Sequence, residues 1–158
     1  GRKKLFRSHK EVNIDTDFEL MLPDAYVSSI EERLSLYQKL AEISSQEELV
    51  QFESELIDRF GTLPEEAVNL LKSVELKWWS AAIGFEKIAM KNGVFLGYFP
   101  DNPQDKFYQS EKFRHILNYL TPSPQEAVLK EKNNQLMMRK EKVQNILDVN
   151  ALLMRILR

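Results

Sequence analysis

The chain contains no cysteine, which removes disulfides, thiolate zinc sites and a cysteine nucleophile together. That composition is compatible with a reducing, cytoplasmic setting. Glycine is also scarce. The five present, Gly1, Gly61, Gly84, Gly93 and Gly97, are not spaced for a phosphate-cradling loop or a dinucleotide-binding fingerprint. Only two histidines occur, His9 and His115, so a Ser-His-Asp site or a histidine metal site would have to be built on one of them. His115, beside Arg114 and near Lys112, reads as a partly exposed helix residue. No apolar run approaches the ~18 residues of a membrane span, and no charged-then-apolar signal opens the chain. Neither a membrane, a metal nor a cofactor is expected.

What is present suits a globular fold. In 158 residues, 43% are apolar and 29% charged, enough for one domain burying roughly two-thirds of its unfolded surface. Charge is unevenly placed. Five of the 22 basic residues (Arg2, Lys3, Lys4, Arg7 and Lys10) fall in the first ten positions, which hold no acid, leaving 17 against 24 acids. Residues 1–10 therefore read as a basic linker from a longer chain, with Gly1 as a tag remnant, and residues 11–158 as one α+β domain. A DNA contact is the alternative reading of the basic run, although an acidic body is a poor surface for phosphate binding.

Residues 11–22 alternate loosely, with Val12, Ile14, Phe18 and Leu20 predicting an extended segment that Pro23-Asp24 stops. Three helices with consistent starts follow. Ser29-x-x-Glu32 and Ser45-x-x-Glu48 are capping boxes, and Thr62-x-x-Glu65 with Pro64 in the first turn is a third. Ile30, Leu34, Tyr37 and Ala41 would form the buried face of the first helix. Leu49, Phe52, Leu56 and Phe60 would form that of the second, with Gly61 ending it. Ala67, Leu70, Leu71, Val74, Trp78 and Ala81 stripe the third, which Gly84 ends. Trp79 lies ~100° round from Trp78 and either buries against the hairpins or marks a partner surface.

The period then changes. Ile88, Met90, Val94, Leu96 and Tyr98 alternate around Asn92-Gly93, a strong hairpin signal. Pro100–Pro103 is a loop, and Phe113, Ile116, Leu117 and Leu120 predict a helix ending before Pro122. Val128–Glu131 and Gln135–Met138 flank Asn133-Asn134 as a second hairpin. Val143, Ile146, Leu147, Leu152 and Ile156 predict a terminal helix. The fold class is α+β: three consecutive amphipathic helices, then β-hairpins and further helices, in a single compact domain.

A dedicated active site is not expected. The paired carboxylates Glu31/Glu32, Glu47/Glu48 and Glu65/Glu66 all sit in first turns, where acids favour the helix dipole. The five methionines are scattered and read as core filler. One surface remains: Glu55, Asp58 and Arg59 share a face of the second helix, opposite its apolar stripe. Spacing alone makes this a solvated face with an internal Glu55–Arg59 pair worth ~0.2–0.5 kcal/mol.

Two segments carry more information. Leu22-Pro23-Asp24-Ala25-Tyr26-Val27, leading into Arg33-Leu34-Ser35-Leu36-Tyr37, and Glu55-Leu56-Ile57-Asp58-Arg59-Phe60-Gly61-Thr62-Leu63-Pro64 resemble the carboxy-terminal domain of bacterial transcription-repair coupling factors (Mfd). The resemblance covers Val12 to Leu71. It implies a non-catalytic regulatory domain of an ATP-dependent DNA translocase that serves transcription-coupled nucleotide excision repair. It further implies that Glu55, Asp58 and Arg59 hold this domain against an amino-terminal, UvrB-like domain of the same parent. That clamp would mask the surface recruiting UvrA and keep the motor repressed until the parent engages RNA polymerase on DNA. The alternative is a nucleic-acid-binding or protein-interaction module using the basic run and the Lys130–Lys142 hairpin.

Overall fold

The computed structural model describes residues 12–158, so the basic run of residues 1–10 lies outside the described residues. The described chain divides into two compact units, residues 18–75 and residues 12–17 with 76–158.

The first unit is helical. It holds α1 (Ile30–Ala41), α2 (Gln46–Phe60) and the amino-terminal part of α3 (Glu65–Ile83). The serine caps form as the sequence predicts: Ser29 Oγ accepts from the Glu32 amide and Ser45 Oγ from the Glu48 amide, both at 3.2 Å. Glu48 also accepts from the Ser44 amide at 2.9 Å, and the Glu32 carboxylate is drawn to Arg59 of α2. In α3 the carbonyl of Pro64 accepts from Val68, which places Pro64 just before the helix and not within its first turn. Gly61 closes α2 with φ +94° and ψ −167°, a backbone region that only glycine enters readily.

The face of α1 departs from expectation. Leu36 and Leu40 are buried, whereas Ile30 is 66% and Leu34 58% exposed. Arg33 and Tyr37 explain the rotation. Arg33 donates to the Val27 carbonyl at 2.6 Å, and the Tyr37 hydroxyl accepts from the Leu22 amide at 2.7 Å. These polar contacts tie one flank of the helix to the preceding irregular segment. For α2 the predicted stripe is correct: Leu49, Phe52 and Leu56 are buried and Phe60 half-buried. Burying Phe52 and Leu56 stabilises this unit by ~1.5–3 kcal/mol each.

The second unit is built on a five-stranded mixed sheet in the order β1-β2-β3-β5-β4. The strands are β1 (Asn13–Thr16), β2 (Lys87–Lys91), β3 (Val94–Tyr98), β4 (Val128–Lys132) and β5 (Gln135–Lys140). Only four residues of the predicted 11–22 extended segment form a strand. That strand pairs in parallel with β2, while the other neighbours are antiparallel. Both predicted hairpins are present, with positive φ at Asn92, Gly93, Asn133 and Asn134.

The alternating set Val94, Leu96 and Tyr98 is not the buried face of β3. Phe95 and Gly97 are buried opposite Met90 and Ile88, whereas Val94, Leu96 and Tyr98 lie half-buried on the other side. In a two-residue hairpin the partner of Met90 is Phe95, so the buried set changes parity across the turn. Helices α4 (Glu111–Leu120) and α5 (Ile146–Leu157) complete the unit. His115 meets the Ile156 carbonyl at 2.7 Å, and Arg155 pairs with Glu126 at 2.9 Å. In α5 the buried positions are Ile146, Val149, Asn150, Leu152, Leu153 and Ile156, while Leu147 is exposed. Trp78 is buried, and Trp79 is half-buried with its ring edge-on to Trp78.

Candidate functional site

Helix α2 has one buried stripe, so its remaining arc is free to carry polar chemistry. Along that arc the three singled-out residues part company. Glu55 and Arg59 lean toward α1, and Asp58 stands exposed to solvent.

Glu55 accepts a 2.6 Å ion pair from Lys39 of α1 and a longer 3.4 Å contact from Arg59, one turn on. Arg59 in turn engages Glu32 of α1, and its guanidinium lies 4.8 Å from the centre of the Phe60 ring. The result is a ladder of alternating charge, Lys39–Glu55–Arg59–Glu32, laid across two helices. The hydrogen bond from Lys39, helped by its charge and by Arg59, holds the Glu55 carboxyl below its ordinary value against the opposing effect of burial. The ladder is solvated, so each pair contributes a few tenths to ~1 kcal/mol. Its structural effect is to brace α2 against α1.

Asp58 is exposed, and its side chain makes no hydrogen bond or ion pair among the described residues. It therefore presents an uncompensated negative charge on a braced helix. Ile57, 46% exposed, stands next to it in sequence. The predicted trio is thus brought together on one helix, with different duties. Glu55 and Arg59 hold the scaffold, and only Asp58 has its charge wholly available to another molecule.

Spacing revealed the Glu55–Arg59 pair but not Glu32 or Lys39, because pairs between helices depend on how those helices cross. Nor does spacing reveal Tyr26, whose ring packs 5.7 Å from that of Phe60 at the end of α2. Among the described residues there is no cluster of three or more His, Cys, Asp or Glu able to hold a metal ion. No helix of the described residues is long and apolar enough to cross a membrane. The basic hairpin β4–β5 carries Lys130, Lys132 and Lys140, but its Arg139 is paired with Glu141 at 3.0 Å.

The described residues thus form an α+β fold whose second helix carries a braced, charged face. The family model of the TRCF domain matches residues 16–110. The chain belongs to the TRCF-domain family, and the match runs past Leu71 through both strands of the first hairpin. It is 29% identical over 142 residues, 89% of its length, to the transcription-repair-coupling factor of Rickettsia prowazekii. It is 35% identical over 106 residues, 65% of its length, to that of Haemophilus influenzae. The chain spans only 12% and 9% of the lengths of those two relatives. The crystal structure of a C-terminal domain of transcription-repair coupling factor superposes with a TM-score of 0.70. That match covers 94% of this chain and 96% of the other at 19% identity, and so establishes a common fold.

Proposed function

We propose that this domain is the regulatory carboxy-terminal part of a DNA translocase that couples repair to stalled transcription, and that it acts by binding instead of by catalysis. Its outer α2 face docks on an amino-terminal UvrB-like domain of the same parent, masking UvrA recruitment and restraining the motor. RNA polymerase and DNA are partners of the parent, not of this face. The observation that carries the reading is the isolated charge of Asp58 on a helix already braced by the Lys39–Glu55–Arg59–Glu32 ladder. A charge on a braced helix loses little backbone freedom on docking, so its pairing with a partner arginine or lysine is favoured. Titrating the domain with the UvrB-like domain in trans tests this. Binding that falls about tenfold or more on Asp58→Lys supports the reading, and no binding refutes it.

Nucleic-acid binding through the basic run and the second hairpin has less in its favour. The hairpin's arginine is already neutralised by Glu141, and beyond the first ten residues the chain carries an excess of acids.

A further inference from the structure

Two exposed surfaces, one in each compact unit, serve neither the core nor the proposed docking face, and their chemistries are opposite. The first is on α1. Ile30, Leu34, Tyr37 and Ala41 recur at helical spacing and so share one side of the helix. Ile30 and Leu34 are two of the three most exposed large apolar side chains among the described residues; Ala41 is exposed and Tyr37 half-buried. Glu31 and Glu42 flank this stripe on its solvent side, exposed and without an ion-pair partner among the described residues. On its other flank Arg33 is held by the Val27 carbonyl, and the segment it binds carries the exposed Asp24. Three acids and one cation therefore surround the stripe. Lys39 and Glu32 lie on the opposite side of α1, where they meet α2.

The second surface is the outer face of the sheet. Strand register sets Lys87, Tyr98, Met137 and Lys130 in one row across β2, β3, β5 and β4, and Ala89, Leu96, Arg139 and Val128 in the next. The buried Ile88, Met90, Phe95 and Met138 belong to the other face. On the outer face Ala89, Leu96, Tyr98 and Val128 are half-buried, whereas Lys87, Lys130 and Lys132 are exposed. Lys91 pairs with Asp15 and Arg139 with Glu141. No acid among the described residues pairs with the other three lysines, and Lys87 lies 4.7 Å from the centre of the Tyr98 ring.

We propose that the α1 stripe of one copy of this domain docks on the outer sheet face of a second copy. Ile30, Leu34 and Ala41 then cover Leu96, Tyr98 and Val128, while Glu31 and Glu42 meet Lys87 and Lys130. The spans agree. Glu31 and Glu42 are roughly 16 Å apart along the helix, and Lys87 and Lys130, three strand spacings apart, are separated by roughly 14 Å. Charge selects this pairing over α1 against α1, because an antiparallel helix pair would set the Glu31 and Glu42 flanks of both copies side by side. The contact joins unlike surfaces, so it assembles copies head to tail. One short helix on a sheet covers little area, which places the contact among weak, transient ones.

The test is sedimentation velocity of the full chain from about 10 μM to about 1 mM, the range in which a weak complex forms. The sedimentation coefficient should rise with concentration. Ile30→Gln/Leu34→Gln removes the stripe and Lys87→Glu/Lys130→Glu reverses the sheet rim, and each should weaken association at least about tenfold. An equal mixture of the two variants should associate again as a one-to-one complex, because each retains the surface that the other lacks. That recovery excludes misfolding as the cause of either loss. A wild-type chain that stays monomeric throughout the range overturns the proposal. Association that survives either variant overturns it too, as does a mixture that remains monomeric, since the two surfaces would then not be each other's partners.

Discussion

The Tyr26 hydroxyl donates to the carbonyl of Gly61 at 2.7 Å, with the Leu56 carbonyl a longer 3.2 Å away. This contact joins the Pro23–Val27 segment to the end of α2, which are the two stretches that carry the family resemblance. The carbonyls at a helix end lack intrahelical donors, and a tyrosine brought in from 35 residues earlier supplies one. Tyr26→Phe should cost about 1 kcal/mol at neutral pH. Burial also raises the Tyr26 pKa above its ordinary value of 10.0. The folded state therefore holds this proton more tightly than the unfolded chain, so the stabilisation is complete below about pH 10 and is lost as pH rises through the folded value. Urea midpoints from pH 8 to 11 should fall more steeply for the wild type than for Tyr26→Phe. Parallel curves would mean that this hydroxyl is not titrating in that range.

Two glycines should resist substitution for opposite reasons. At Gly61 an added Cβ meets nothing within 4 Å, so the cost of Gly61→Ala is wholly the positive-φ backbone, ~1–3 kcal/mol. At Gly97 the backbone is ordinary, but a Cβ would stand 2.4 Å from the ring of Phe85. Gly97→Ala should destabilise by overpacking, ~1–3 kcal/mol. Melting temperatures separate the causes: Phe85→Leu in the same chain should recover part of the Gly97→Ala loss and none of the Gly61→Ala loss.

Acid should weaken the α1–α2 brace. Glu55 has a folded pKa below its ordinary value of 4.5, chiefly through its hydrogen bond to Lys39, so its contribution is complete above that unfolded value. It is lost as pH falls through the folded value, within the window from about pH 5 downward. Lys39→Ala should change stability at pH 7 by no more than about 1 kcal/mol and flatten the acid limb. Denaturant midpoints from pH 7 to 3 provide the check. An acid limb as steep in Lys39→Ala as in the wild type would remove Lys39 as the cause.

Local signals were the legible part of this fold. Ser29, Ser45, Asn92-Gly93 and Asn133-Asn134 each fix backbone geometry within three residues, and each stands where expected. Whatever depended on distant partners was less legible. The buried face of α1 turns on Tyr37 reaching the Leu22 amide and Arg33 reaching the Val27 carbonyl, so Ile30 and Leu34 stay exposed despite helical spacing. The face of β3 is set by its register with β2, which an apolar residue at every position from Val94 to Leu96 leaves ambiguous. At the candidate site, i,i+4 spacing gives Glu55–Arg59. The more consequential pairs, Lys39–Glu55 and Glu32–Arg59, span 16 and 27 residues and exist only once the helices have packed.

The last prediction separates scaffold from docking surface on α2. In the isolated domain Asp58→Lys should leave the melting temperature within about 1–2 °C of the wild type, because the side chain has no partner among the described residues to lose. Asp58→Lys combined with Arg59→Glu is different. The carboxylate introduced at position 59 would face Glu32 and Glu55, so α1 and α2 would repel where they had paired. Solvated pairs of this kind contribute up to ~1 kcal/mol each, which predicts a folded domain melting a few degrees lower. If the proposed docking on a UvrB-like domain holds, both variants should release this domain in the intact parent, since a desolvated inter-domain pair broken on one side costs ~2–5 kcal/mol. Higher affinity for UvrA and motor activity without RNA polymerase are the expected readouts, with domain release followed by X-ray scattering. Asp58→Lys decides the matter, because it would remove the proposed docking charge without loosening the brace. If that variant leaves the parent as repressed as the wild type, with the domain still docked, the outer face of α2 is a solvated surface and the clamp lies elsewhere.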